Sequence, residues 1–122
     1  MNMIFTFYNL STLLVIATMS LLPQKKVDVT GTWAMKVETS VGSGSPIFEL
    51  KHVTESTLVG TYKGQLGEAN VEGTLKSNVI HLEFAVSGGK VEYDGTVEAD
   101  TMKGKVKLGN MGDGTFTGTL KK

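Results

Sequence analysis

VTGTW at 29–33, LVGTY at 58–62, VEGTL at 71–75, YDGTV at 93–97 and FTGTL at 116–120 are five copies of one phrase, apolar-x-Gly-Thr-apolar. MKGKV at 102–106 is a variant with Lys in place of Thr. Each copy lies in a run where apolar and polar residues alternate, the period of a strand with one dry and one wet face. Eight such runs follow in turn, at 28–39, 46–53, 57–64, 68–76, 79–87, 90–99, 102–109 and 114–121. Beyond Val27 there is a single proline, Pro46, and no stretch with helical spacing. Ser77-Asn78, Gly88-Gly89 and Asp100-Thr101 suit two-residue hairpin turns, while SVGSGS at 40–45 and NMGD at 110–113 read as longer rim loops. Eight hairpin-linked antiparallel strands remove their exposed edges by closing on each other. The sequence therefore predicts an all-β fold, an eight-stranded antiparallel up-and-down barrel over 27–122.

Register sharpens the expectation. With Ser77-Asn78 as a turn, Leu75 faces Ile80, Gly73 faces Leu82 and Val71 faces Phe84. With Gly88-Gly89, Phe84 faces Tyr93, Leu82 faces Gly95 and Ile80 faces Val97. With Asp100-Thr101, Val97 faces Gly104, Gly95 faces Val106 and Tyr93 faces Leu108, while outside Glu98 pairs Lys103 and Asp94 pairs Lys107. All three hairpins bring the dry residues to one face, and a slip of one residue would invert that pattern. The inward set is Trp33, Met35, Val37, Phe48, Leu50, Leu58, Tyr62, Val71, Leu75, Ile80, Leu82, Phe84, Val86, Val91, Tyr93, Val97, Met102, Val106, Leu108, Phe116 and Leu120. Glycine at an inward position lets a strand bend and leaves room for a large neighbour, so the repeated Gly is explained by barrel closure.

Residues 1–26 differ in kind. Positions 4–22 carry no charge and are mostly aliphatic, the first basic residues are Lys25 and Lys26, and all 15 glycines come later. This reads as a signal peptide, or else as a retained membrane anchor, and in both cases as an extracytoplasmic barrel. The membrane is then a partner only through an uncleaved N-terminal segment. With no cysteine, neither a disulfide nor a lipid-modified Cys is available. Every basic residue is Lys, and after Lys26 ten Lys stand against twelve Asp and Glu. Without arginine for bidentate recognition, nucleic acid is not expected as a partner.

Chemistry-bearing residues are few. His52 is in phase with Phe48 and Leu50 and should point inward near a rim; His81 is out of phase with Ile80 and Leu82 and should face solvent. They share no site, no nucleophile–base pair can be assembled, and no enzyme activity and no cofactor are expected. The predicted registers set Glu72, Glu83 and Asp94 side by side outside, three carboxylates that repel at cross-strand spacing and form the one metal candidate. Lys103, Lys105 and Lys107 form a positive stripe, two of whose members, Lys103 and Lys107, the pairs with Glu98 and Asp94 would neutralise.

Gly31-Thr32-Trp33 opening the first of eight strands resembles the calycin group, the lipocalins and avidins. More of the chain is similar to short bacterial barrels that stand alone or as C-terminal modules on secreted metal-dependent amidohydrolases. The matching stretches are Gly31-Thr32-Trp33, 58–62, 64–68, 100–106 and 112–119. The resemblance implies a barrel whose Trp packs across the floor; larger relatives bind small ligands in the barrel mouth, and the short modules are accessory domains. Two functions are expected to compete. One is weak binding of an apolar small molecule at a rim and interior lined by Trp33, Phe48, His52, Leu58, Tyr62 and Tyr93. The other is a packed accessory module that contacts an exported protein partner and has no ligand cavity.

Overall fold

The computed structural model describes residues 27–122 apart from Gly88. The expected leader at 1–26 lies outside the described residues. The strands are β1 (Gly31–Thr39), β2 (Gly42–Gly44), β3 (Ile47–His52), β4 (Thr57–Gly64), β5 (Gly67–Lys76), β6 (Val79–Val86), β7 (Gly89–Glu98), β8 (Thr101–Leu108) and β9 (Asp113–Leu120). β1 pairs antiparallel with both β2 and β3, each later strand from β3 to β9 pairs antiparallel with the next, and β1 also pairs with β9, which closes the sheet.

β2 and β3 occupy one position in the wall. Val37 faces Gly44 and Ala34 faces Ile47 in one continuous register, and Met35 donates its main-chain N–H to the Pro46 carbonyl between them. Proline has no N–H for the ladder, so the strand breaks there and resumes. The barrel is thus eight-stranded, as the sequence predicts. The rim loop expected at 40–45 is instead a tight turn at Ser40-Val41 followed by β2.

The ladder fixes the tilt. Followed round the wall, Thr39 leads through Gly114, Val106, Tyr93, Leu82, Gly73, Leu58 and His52, and returns to β1 at the level of Val29, ten residues earlier. With strands ~4.8 Å apart rising ~3.3 Å per residue, that stagger tilts them about 40° to the axis. Such a wall must coil sharply, and glycine permits it. A Cβ on Gly60 would overlap the Glu49 carbonyl, and one on Gly104 would overlap the Asp94 carbonyl and crowd Gly95. Large residues fill the room left: Leu50 and Val71 flank Gly60, while Met35 and Met102 flank Gly118.

Every residue of the predicted inward set is buried except Val86 and Leu120, which are partly buried against the same core. Val29 joins them from outside the strands.

Two registers differ from expectation. Ile80 faces Gly95, Leu82 faces Tyr93 and Val86 faces Gly89, so the chain reverses between Val86 and Gly89 rather than at the expected Gly88-Gly89. Val97 faces Met102 and Tyr93 faces Val106, so the β7–β8 turn is Ala99-Asp100. Each is displaced by one turn position, which moves every partner by two residues and leaves each side chain on its expected face. Ala99 adopts φ 54°, a left-handed conformation that the composition of this turn does not advertise.

Candidate functional site

At one end of the barrel, residues 27–30 lead into β1 and act as a plug, packing Val27 and Val29 against the core. Val29 is fully buried over Trp33, whose indole Nε1–H donates to the Val29 carbonyl at 2.9 Å. The Val29 N–H donates to His52 Nε2 at 3.1 Å. His52 Nδ1 lies 3.1 Å from the Thr54 carbonyl. A carbonyl only accepts, so Nδ1 carries the proton and Nε2 keeps its lone pair for Val29. Neutral His52 therefore latches the plug to the barrel. In this tautomer the 3.5 Å approach of Asp28 Oδ1 to Nε2 is not an ion pair. Asp28 accepts instead from the Thr30 N–H at 2.8 Å. That bond, with the Thr30 hydroxyl, holds its carboxyl below the usual aspartate value against a small opposing effect of burial.

The loop beside the latch is built on Thr54, whose hydroxyl oxygen accepts from the Ser56 and Thr57 main-chain N–H groups. Between this loop, the plug and the β5–β6 turn lies a recess of about 750 Å³, lined by residues that include Val27, His52, Val53, Leu75, Lys76 and Asn78. Val53 and nearby Val79 are largely exposed at this end.

The barrel interior is filled. Phe48 meets Tyr62, Phe84 and Tyr93 edge-on at centroid distances of 5.4, 5.9 and 5.0 Å. Tyr62 stacks on Phe84 at 4.2 Å, and Tyr93 meets Phe116 at 4.9 Å. Burial raises the Tyr93 phenol far above its ordinary range, with Tyr62 adding to the effect. Burial raises Tyr62 too, partly offset by a hydrogen bond from the Leu66 main chain near the opposite end. Of the expected rim and interior set, Trp33, Phe48, Leu58, Tyr62 and Tyr93 are core residues, and His52 alone lines the recess at the plugged end. The signal for the missing element, the plug, was present in the sequence. Val29 is the apolar residue of the first repeat, one alternation step before β1.

Outside, the shifted β6–β7 register replaces the expected Glu72, Glu83 and Asp94 row. Glu83 stands between Glu72 and Glu92, and Asp94 stands opposite His81. His81 Nδ1 lies 2.5 Å from Asp94 Oδ1, and its Nε2 lies 3.0 Å from Glu83 Oε1. Partial burial disfavours the charged ring, but Asp94 and Glu83 together outweigh it and raise the His81 pKa. The Lys90 ammonium bridges Glu83 at 3.0 Å and Glu92 at 3.3 Å. Lys90 and His81 hold the Glu83 carboxyl below its usual range, and Glu83 with Glu92 raises Lys90. The pairs expected for the Lys stripe are changed as well: Lys103 faces Thr96, Lys105 faces Asp94 and Lys107 faces Glu92.

No protein-family model and no curated protein matches the chain. Several solved structures do. The chain is similar to a de novo designed fluorescence-activating β-barrel at 14% identity and TM-score 0.58, over 82% of this chain and 100% of that one. A redesigned barrel, b11L5F_LGL, matches at 16% identity and TM-score 0.65, over 77% and 92%. A third, mFAP1, solved bound to DFHBI, matches at 18% identity and TM-score 0.59, over 77% and 94%. At these identities the likeness is one of fold.

Proposed function

We propose that this chain is a non-catalytic, extracytoplasmic lipocalin-like barrel module that binds a small molecule at its plugged end, with the packed interior as scaffold. The observation that carries the reading is the recess of about 750 Å³ beside the plug, a volume in the range of small-ligand sites. Val27, Val53 and Leu75 suit an apolar body, and Lys76 and Asn78 suit a polar group at its edge. The likeness to designed barrels, one of them solved with DFHBI, agrees with a barrel of this size presenting a ligand site. The non-catalytic part rests on the histidines. Both His52 nitrogens are committed to main-chain partners, and His81 is fixed between two carboxylates on the outside. The extracytoplasmic part rests on the uncharged stretch at 4–22.

A screen of apolar aromatic fragments by amide chemical-shift mapping tests the site. Shifts should cluster at Val53, Leu75, Lys76 and Asn78, and Val53→Glu should weaken the best fragment at least about tenfold. Shifts centred on Phe48 and Tyr93 would overturn the external site. The filled interior favours a second reading, an accessory module that docks on an exported protein partner. No fragment bound at millimolar concentration, with co-purification of an exported protein, would favour it instead.

A further inference from the structure

His81 and Glu83 lie two residues apart on the outer face of β6, and Asp94 and Glu92 stand directly opposite them on β7. The ladder fixes these four positions as a rectangle on two paired strands. We propose that this wall binds one divalent transition-metal ion of the zinc class, held by His81 Nε2 and the carboxylates of Glu83 and Glu92, with Asp94 as the positioning residue.

Three observations support the assignment. The candidate ligand atoms of His81, Glu83 and Glu92 all lie within 4.8 Å of one another. A tetrahedral ion with bonds of ~2.0–2.2 Å draws its ligand atoms to roughly 3.5 Å apart, so the three groups would close in by about an ångström. The point between the two glutamates already selects a cation, because the Lys90 ammonium bridges them from a long side chain that is more than half exposed and free to withdraw. Finally, the imidazole is oriented for ligation. Asp94 engages Nδ1 while Nε2 faces Glu83, the arrangement in which a carboxylate fixes a ligating histidine from behind.

The donor set also indicates the class of metal. One imidazole nitrogen with two carboxylates suits zinc and its neighbours, whereas calcium seeks six to eight oxygens. A water completes the fourth position, which opens to solvent. Glu72, Lys105 and Lys107 face the rectangle from β5 and β8 and make no direct bond to the ion.

The test is calorimetric titration of the intact chain with Zn2+, beside Co2+ absorption spectroscopy. The expected result is one ion per chain, a tetrahedral Co2+ spectrum, and Zn2+-dependent shifts of the His81 ring resonances. His81→Asn should lower affinity about a hundredfold or abolish binding, and Asp94→Asn should lower it about tenfold. Lys90→Met should tighten binding severalfold by removing the competing ammonium, and Glu72→Gln should change it less than about twofold. These side chains lie outside the core, so an unchanged melting midpoint in metal-free buffer separates ligand loss from misfolding. Zn2+ binding that survives His81→Asn, equal affinity for Ca2+, or no heat of binding in the unmodified chain would overturn the proposal.

Discussion

On the inner face of β6 and β7, Leu82 meets Tyr93 and Ile80 meets Gly95; on the outer face of the same strands, His81 meets Asp94 and Glu83 meets Glu92. The two faces share one backbone and one register, yet only the inner one was legible in its composition. Inside, every apolar residue must point to the axis whichever cross-strand partner it has, so alternation alone places it. A two-residue displacement of the register changes the partners and keeps the face. Outside, partnership is everything. The same displacement exchanges Asp94 for Glu92 beside Glu83, and it brings His81 against Asp94. Faces follow from side-chain period; neighbours follow from turn chemistry.

The difference should appear as a gradient of mutational effects. The largest belongs to the inner wall, where Gly104→Val places a Cβ against the Asp94 carbonyl. The expected cost exceeds about 4 kcal/mol, enough to abolish cooperative unfolding in a domain of ordinary stability. Far-UV circular dichroism in urea reads it. Trp33→Ala comes next, removing the largest fully buried side chain and the bond to the Val29 carbonyl, at about 3–5 kcal/mol by the same measurement.

At the plugged end, His52→Ala leaves the buried Val29 N–H without its acceptor. A cost of about 1–2 kcal/mol is expected, with faster hydrogen exchange at Val29 than at Leu82 as its local signature. The sign reverses at the β7–β8 turn. Ala99→Gly relieves a left-handed conformation at φ 54° and should raise stability by roughly 1 kcal/mol. The smallest effect is outside. Glu72→Gln removes one of two facing carboxylates and should stay within about 0.5 kcal/mol.

These positions also explain what the sequence left unread. The five repeats located the strands, and the inward glycines implied the coiling that Gly60 and Gly104 permit. Asp100-Thr101 has the residues of a turn, but the chain reverses one step earlier and accepts strain at Ala99, which no composition rule favours. Ser40–Val41 was hidden in a glycine- and serine-rich stretch that continues as β2, because Gly42 and Gly44 carry no side chain to reveal alternation. The plug was missed for a different reason. Val29 looks like one more strand residue, and its role depends on a hydrogen bond to His52, which alternation does not pair with it, beside the local bond from Trp33.

A crystal grown from the intact chain and pressurised with xenon puts the filled barrel to the sharpest test. The structure predicts no xenon among Trp33, Phe48, Tyr93 and Phe116, with Thr39 paired to Gly114 so that the wall is closed. Xenon at full occupancy between those rings, or β1 parted from β9, would contradict it.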